Sequence, residues 1–576
     1  MLNYDESLLK EALETCLLVK SVAELHPKRL AEPWAKDRFV CRSYKLVIEL
    51  NGVPVDFYFG VKKSFPLSLP YIFLAQWDSF GILPHVETDG YICYAQEDGS
   101  VLDFDDVAGI AQEALSRAIQ VVVDGISGKN HQDFLDEFGA YWDRLKKVKF
   151  FTSIVSPGDQ VKRIHLYKVK GGAGYLADDE QSYKKYRKIK PHVPWKHYPA
   201  IYIPLPIGTV ITPPHPDKFW ELLDIRKIVF DNLRADQKSE LLSLLTKPHH
   251  EEVILLSLPR ASDGETLFGI KFKGVNHEHP LHEAGRASEI IPLAITRRDK
   301  EYLLPRGGSN LALREKRVLL LGCGSVGGFI ANELTRAGIL RLTVLDKDVL
   351  THENLFRHVL GKKHVGKNKV DGIKDDIEGR LPFVEVLPIP LSLENALESG
   401  KIKIGDFDLI ISALGNVTVE LVFSKYIHGI DSPPVIFTWL EPYGIGGHAL
   451  LTRNGSKKGC LKCLYQPEDG DLRCRASFAE KGQSFAKNIN GCRNVFTPFG
   501  SLDAMKTAEL ATRLAIATLN GDIKTNLIRS WRGDATEFLK NGKKLSSRYS
   551  ASNDHFIEEA NYHFEECPVC HEPETV

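Results

Sequence analysis

Hydrophobic positions change period twice along the chain, and each change marks a block. In the first block Leu8, Leu9, Ala12, Leu13, Cys16 and Leu17 recur at helical spacing, which predicts an amphipathic helix. Cys16 lies on that apolar face and reads as core, because a free cysteine behaves as a small hydrophobe. Strand-like runs over 39–50 and 55–59 flank Asn51-Gly52, a dipeptide that predicts a two-residue hairpin turn. Cys41 falls inside the first run and reads as structural. The prolines of Phe65-Pro66-Leu67-Ser68-Leu69-Pro70 forbid a regular helix, and Tyr71–Leu74 reads as a further strand. A loop over 84–100 precedes helical patterns over 107–124 and 130–146. Helix, antiparallel strands, loop and helices is an α+β order.

Between 151 and 295 the strand-like runs are short (161–169, 200–205, 253–258, 266–272) and separated by Pro- and Gly-rich turns, while 219–233 and 239–245 carry helical spacing. No motif stands out. His277, His279 and His282 are close enough in sequence to share a metal, although a solvated loop is the plainer reading. With no low-complexity tether, this block is expected to be a folded mixed α/β domain. From 296 onward strand 317–321, helix 329–337 and strand 340–345 follow one another, a βαβ unit that implies a parallel sheet. The expected fold class is therefore multidomain: α+β over 1–150, mixed α/β over 151–295, and α/β over 296–576.

Composition narrows the function classes. The 576 residues are 43% hydrophobic and 26% charged, with 74 Lys+Arg against 75 Asp+Glu and a net charge of -1. This is ordinary globular composition, and it argues against a globally basic nucleic-acid binder. No apolar run reaches the ~18 residues of a membrane span, and the first residues, Met1–Glu6, carry no signal-peptide pattern. A cytoplasmic location is expected, where the ten cysteines are reduced thiols rather than a disulfide framework.

The first chemistry is at Gly322-Cys323-Gly324-Ser325-Val326-Gly327, a G-x-G-x-x-G between strand and helix. Gly322, Gly324 and Gly327 allow a tight turn and let backbone N–H groups approach a phosphate at a helix N-terminus. Asp346 ends the next strand 19 residues after Gly327, where an acid can bond ribose hydroxyls. By itself this pattern fits an NAD or FAD enzyme. The polar run that follows does not: Asp346-Lys347-Asp348, Asn354-Leu355-Phe356-Arg357 and Gly366-Lys367-Asn368-Lys369 supply cations suited to a triphosphate.

From 311 to 576 the arrangement resembles the ubiquitin-activating (E1) and ThiF/MoeB superfamily of adenylating enzymes. The resemblance implies a Rossmann-like adenylation domain that uses ATP and Mg2+. It places Asp346 of Asp346-Lys347-Asp348 on the ribose, with Asp348 and Asn354 in the same nucleotide site and Arg357 and Lys369 on the phosphates. The family ends a later strand in Asp-Asn, the Asp near magnesium. Here the stretch is Ser412-Ala413-Leu414-Gly415-Asn416, so Gly415 replaces that acid and the magnesium ligand is not named. Arg306 and Arg314 are candidates for the family's upstream arginine.

Two C-x-x-C pairs, Cys460/Cys463 and Cys567/Cys570, lie 104 residues apart. Tetrahedral zinc favours four thiolates, and each pair presents two from one turn. The MoeB branch has such a split zinc site, which implies a structural Zn2+ here; a redox pair or inert thiols stay open. Cys492 follows Asn490-Gly491 and precedes Thr497–Ala504, which opens a helical pattern through Leu519. The segment resembles the family's crossover loop, which implies that Cys492 receives the activated carboxyl, with Arg493 favouring thiolate. Cys474, between Arg473 and Arg475, is the rival thiol.

Leu83-Pro84-His85-Val86-Glu87-Thr88-Asp89-Gly90-Tyr91-Ile92-Cys93 resembles the active-site stretch of ubiquitin-conjugating (E2) enzymes, H-P-N followed by G-x-I-C. The resemblance covers 1–150 and implies that Cys93 is an acyl carrier. The Asn that helps the oxyanion is missing, and His85 marks the nearest position. Together the two halves resemble the E1–E2 fusion family of bacterial ubiquitin-like conjugation, that of CD-NTase-associated protein 2 in CBASS antiphage operons. This implies a homodimer through the adenylation domains. It also implies a protein substrate with a flexible C-terminal tail, a cGAS-like CD-NTase, and an amine-bearing protein target. Three rivals remain: a Rossmann oxidoreductase, a sulfur-carrier activator whose E2-like part only docks, and a non-catalytic scaffold.

Overall fold

The computed structural model describes residues 6–26, 33–36, 38–96, 99–169, 174–188, 195–245, 248–453, 459–468, 471–488, 495–551 and 554–570. The chain divides into two compact units, Met1–Tyr302 and Leu303–Val576.

The first unit opens with the helix Glu6–Glu14 and an antiparallel meander of β1 (Val19–Glu24), β2 (Val40–Leu50), β3 (Val53–Lys62) and β4 (Tyr71–Leu74), in the order β1-β2-β3-β4. Asn51 and Gly52 have φ of 49° and 82°, and Leu50 faces Val53. Two positive φ values in a two-residue loop are what the twist of a tight hairpin requires. Leu46, Ile48, Phe57, Phe59, Ile72 and Leu74 from one sheet face pack on Leu9 and Leu13 of the first helix and on Ala111, Leu115, Ala118 and Val122 of the helix Val107–Ile126.

One cysteine differs from expectation. Cys41 is exposed, because the β2–β3 register shifts between Val40 and Arg42 and such a bulge redirects the side chain. Cys16 lies just beyond the end of the first helix and packs, half-buried, against the same core.

The same unit contains a closed barrel. Its strands are β5 (Lys149–Ser153), β6 (Lys162–Val169), β7 (Gly174–Ala177), β8 (Trp195–Pro204), β9 (Glu251–Pro259), β10 (Glu265–Lys273) and β11 (Glu289–Arg297), in the order β10-β11-β5-β7-β6-β8-β9. Three of these strands, β5, β7 and β11, are not evident in the hydrophobic pattern. Pro292 sits inside β11, opposite Ile270, and proline normally demotes a strand reading. Ile164, Leu166, Leu255 and Leu293 fill one core, while Ile201, Ile203, Ile254, Leu256, Phe268 and Ile270 face Ile225, Val229 and Leu241 from the helices Leu222–Asn232 and Ala235–Leu244. His279 is buried against Phe272 rather than solvated, and burial pushes its imidazole down to about 4. Its Nδ1 accepts the Leu281 N–H, at 3.1 Å. Among the described residues it joins no metal-binding group.

The second unit is built on β12 (Arg317–Leu321), β13 (Arg341–Leu345), β14 (Glu385–Ile389), β15 (Leu409–Ser412), β16 (Val435–Leu440), β17 (Gly446–Thr452), β22 (Leu527–Arg532) and β23 (Phe556–Glu559). Two short antiparallel pairs lie between β17 and β22, β18 (Tyr465–Glu468) with β19 (Asp471–Cys474), and β20 (Lys487–Asn488) with β21 (Val495–Phe496). The large sheet runs β14-β13-β12-β15-β16-β17-β22-β23, parallel through β16 and antiparallel beyond. Both faces are covered, as parallel sheets require. Val318, Leu320, Val344 and Ile411 pack on the helices Ser325–Ala337, Lys369–Arg380 and Ser501–Asn520. Leu319, Leu321, Leu345 and Ile410 pack on Phe423 and Ile427 of the helix Val417–His428. No helix among the described residues is long and apolar enough to cross a membrane.

Candidate functional site

In the second unit β12 ends in the glycine loop, and the helix Ser325–Ala337 starts directly after it. Each glycine has its own reason. Gly322 has φ of 89°, and a Cβ there would come 2.5 Å from the Ala413 carbonyl oxygen. A Cβ on Gly327 would lie 2.0 Å from the Gly322 oxygen. A Cβ on Gly324 would meet no protein atom, so the loop is open there, at the positive end of a helix.

Asp346 organises this loop. One carboxylate oxygen accepts the Cys323 N–H (2.7 Å) and the other accepts the Asp348 N–H (2.8 Å). Asp348 in turn pairs with Lys369 at 2.9 Å, and the Lys369 N–H donates to the Asp348 carbonyl. Hydrogen bonds thus bring the loop, Asp346, Asp348 and Lys369 together. Asn354 is used locally: its side-chain oxygen accepts the Thr351 N–H and closes a 3-10 turn over His352–Arg357. Cys323 is fully buried, and burial drives its thiol far up.

His358 was not singled out by its sequence context. It fastens the turn to the loop: its Nε2–H donates to the Cys323 carbonyl (2.7 Å), and Nδ1 accepts the Leu360 N–H (3.1 Å). Burial lowers its pKa and keeps it neutral. Gly415 has φ of 65°, a left-handed turn that favours glycine, so the missing carboxylate coincides with a backbone that suits its absence.

Under that turn Glu420 is buried and accepts the Ser412 hydroxyl at 2.6 Å. Burial raises its pKa to about 7. The folded state therefore holds this proton more tightly than the unfolded chain. The stabilisation is complete below about pH 4.5 and is lost as pH rises through about 7. Glu420→Gln is expected to raise stability at pH 8 by up to ~3 kcal/mol and to flatten its slope between pH 5 and 8, as read by thermal melts; an unchanged slope would contradict this.

The four paired cysteines meet. The Cys460–Cys463, Cys460–Cys567 and Cys463–Cys570 sulfurs are 3.9, 3.6 and 3.3 Å apart, and all four lie within 4.8 Å of one another in a buried cluster. A tetrahedral ion with metal–sulfur bonds near 2.3 Å needs sulfurs about 3.8 Å apart, so the set fits a four-thiolate metal. Asn526 and the Tyr562 hydroxyl both donate to the Gly459 carbonyl and hold the first pair in place. Cys492 and Arg493 lie outside the described residues. Cys474 is packed against the core, and burial pushes its thiol up to about 11, a poor setting for a nucleophile.

In the first unit Cys93 is exposed. It closes a tight hairpin in which Val86 faces Ile92 and the Cys93 N–H donates to the His85 carbonyl at 2.8 Å. His85 has φ of 62°. Its Nε2 lies 2.9 Å from Asp133, its Nδ1 lies 2.6 Å from Glu137, and its backbone N–H donates to Glu137 at 2.8 Å. With a carboxylate at each ring nitrogen the ring is an imidazolium; the Glu137 bond leads in raising its pKa to about 9. Every donor is spent, so His85 has none left for an oxyanion. The Cys93 thiol is raised by partial burial, then by Glu137 and Glu87, against a lowering by Arg144.

Asp133 and Glu137 stand one turn apart at the start of the helix Phe134–Asp143. Tyr141, one turn further, donates to the Leu83 carbonyl at 2.7 Å and accepts the Val86 N–H at 3.1 Å. The neighbouring stripe of Phe138, Trp142 and Leu145 is buried in the barrel core, where Trp142 donates to the Leu293 carbonyl at 2.9 Å. One helix thus gives a polar stripe to the thiol hairpin and an aromatic stripe to the barrel. Sequence reasoning missed it because the partners lie about fifty residues from His85; the i, i+4, i+8 spacing of Asp133, Glu137 and Tyr141 is the signal that was available.

Residues 19–151 match the Prokaryotic E2 family B, and residues 303–553 match the ThiF family. The ATP-dependent ubiquitin transferase-like protein Cap2 of Pseudomonas aeruginosa (strain BWHPSA011 / Pa011) is 22% identical over 474 residues, covering 76% of this chain and 80% of its own. The protein of the same name from Escherichia coli (strain TW11681) is 22% identical over 538 residues, covering 86% and 87%. Among solved structures, E. coli MccB with MccA-N7isoASN matches with a TM-score of 0.34 at 19% identity, covering 45% of this chain and 68% of MccB. With an E2-family region and a ThiF-family region in one span that aligns with the Cap2 proteins, this chain has the layout of a Cap2-like E1–E2 fusion.

Proposed function

We propose that this chain activates the C-terminal carboxylate of a protein with ATP and conjugates it to an amine. The observation that carries this is the pairing on one chain of an exposed thiol in an E2-family hairpin, Cys93, with the Asp346–Asp348–Lys369 cluster at a ThiF-family glycine loop.

In the first step a carboxylate oxygen attacks the α-phosphorus of ATP and pyrophosphate leaves. Gly322, Gly324 and Gly327 cradle the phosphates with backbone N–H groups, Asp346 and Asn354 serve the nucleoside side, and Arg357 and Lys369 offset the negative charge that grows on the phosphates. Asp348 holds Lys369 in place until ATP arrives. Magnesium bound to the triphosphate would offset further phosphate charge. In the second step the Cys492 thiolate attacks the acyl-adenylate carbonyl and AMP leaves. The Cys93 thiolate then takes the acyl group and Cys492 leaves as thiolate. Finally an amine attacks, the C–S bond breaks, and the amine proton is lost to solvent. Thioesters keep the carboxyl activated after AMP has gone.

Cys460, Cys463, Cys567 and Cys570 would hold a structural zinc ion. The substrate is the flexible tail of a cGAS-like CD-NTase, the target an amine-bearing protein, and the enzyme a cytoplasmic homodimer joined through its adenylation domains. The test uses labelled pyrophosphate, ATP and a CD-NTase that carries a flexible C-terminal tail. Exchange of label into ATP is expected only while that protein keeps its C-terminal carboxylate. Cys492→Ala should retain exchange and lose the thioester; exchange without any carboxylate substrate would refute the scheme.

A further inference from the structure

Arg357 is held without a carboxylate. Its guanidinium lies over the Phe499 ring, 4.8 Å from the centroid, and no acid pairs with it among the described residues. An arginine that serves only the fold is usually neutralised by an acid. One kept for an incoming anion has to be oriented yet left charged. An aromatic face does this, because it attracts the cation through its π-cloud while the N–H donors at the guanidinium edge stay free.

The platform is itself fixed. The Pro498 carbonyl accepts the Tyr443 N–H at 2.6 Å, and the Gly500 N–H donates to Asp503 at 2.8 Å, where the helix Ser501–Asn520 begins. Phe499 is thus pinned on both sides, and it is half-buried. The base of Arg357 is pinned as well, since the adjacent His358 bridges the Cys323 carbonyl of the glycine loop and the Leu360 N–H. The arginine is caught between two rigid supports, one of them the loop where phosphate would sit. Phe499 also lies seven residues after Cys492 in the sequence.

We propose that Phe499 is a positioning residue for the nucleotide site: it holds the Arg357 guanidinium in the orientation that meets the phosphates of ATP. The inference rests on the reading of Arg357 as a phosphate ligand, and the test separates the two. ATP and adenosine are titrated against the full chain by calorimetry or by competition with a fluorescent nucleotide. Phe499→Ala and Phe499→Leu are expected to weaken ATP binding about five- to tenfold and to leave adenosine binding unchanged. Phe499→Tyr and Phe499→Trp, which keep the π-face, should bind ATP within about twofold of the parent. In an Arg357→Ala background, Phe499→Leu should add no further loss. A Phe499→Leu chain that binds ATP like the parent overturns the proposal, as does an equal fall in ATP and adenosine binding, which is the mark of a purely structural role. If Arg357→Ala leaves ATP binding intact, the phosphate reading of Arg357 fails first.

Discussion

The full chain carrying Cys93→Ala is expected to exchange pyrophosphate and form the upstream thioester at the parental rate, yet to yield no amide conjugate. The readout is a reducing and non-reducing gel of a reaction with ATP and the tailed protein substrate. Conjugates undiminished by Cys93→Ala would make the E2-like half a docking module. The hairpin geometry argues for a catalytic thiol. Cys93 is exposed at its mouth, and its backbone N–H is fixed to His85, whose ring and N–H are all bound to Asp133 and Glu137. His85→Gln keeps the thiol but loses the charged clamp, and discharge of a preformed Cys93 thioester should slow about tenfold or more, because a thioester carbonyl displaced by about an ångström loses its alignment with the attacking amine. The raised imidazole pKa fixes the pH window. The contribution of the clamp is complete below about 6.5 and is lost as pH rises through about 9. Discharge should therefore tolerate neutral pH and lose its support above about 9.

The reach of the sequence follows the range of the interactions. Local signals were legible: the Asn51-Gly52 turn, the strand–glycine loop–helix unit at 317–337, and the C-x-x-C pairs, each of which fixes its own geometry within a few residues. Asp346 and Lys369 could be placed together because the βαβ connection leaves few alternatives. The barrel was hidden because β5, β7 and β11 are short or interrupted, and their pairing, such as β11 with β5, spans more than a hundred residues. His85 shows the same limit at a site. Its position was visible but its chemistry was not, since the two carboxylates that fix its charge come from a helix that the barrel core holds in place. Cys41 erred the other way, because a one-residue register shift exposes what the strand pattern buries.

Cys463→Ser is expected to strip one zinc ion from each chain and to lower the melting temperature of the second unit by about 10 °C or more. Four neutral thiols at these distances gain little from one another, and four thiolates repel; a dication in the centre resolves both and releases protons on binding. An ion held by the four thiolates would join Cys463 to Cys567 across 104 residues. Closing a loop of that length is worth ~5 kcal/mol in chain-entropy terms, and each kcal/mol moves the midpoint of a domain this size by about 2–4 °C. Without the ion the terminal segment loses its anchor, and Leu461, Leu464 and Tyr562 lose the burial they share with the sulfurs. Metal content by mass spectrometry and melts of the parent, the variant and the chelated parent provide the check. A chelated parent that melts where the untreated parent melts would remove zinc from the account. The cluster packs with Leu319, Leu321 and Ile410, whereas the helices Ser325–Ala337 and Ser501–Asn520 pack with Leu320 and Ile411 on the opposite face of the sheet. Below its new melting temperature the variant should therefore bind ATP with parental affinity, because metal loss lowers stability without touching Asp346, Arg357 or Lys369.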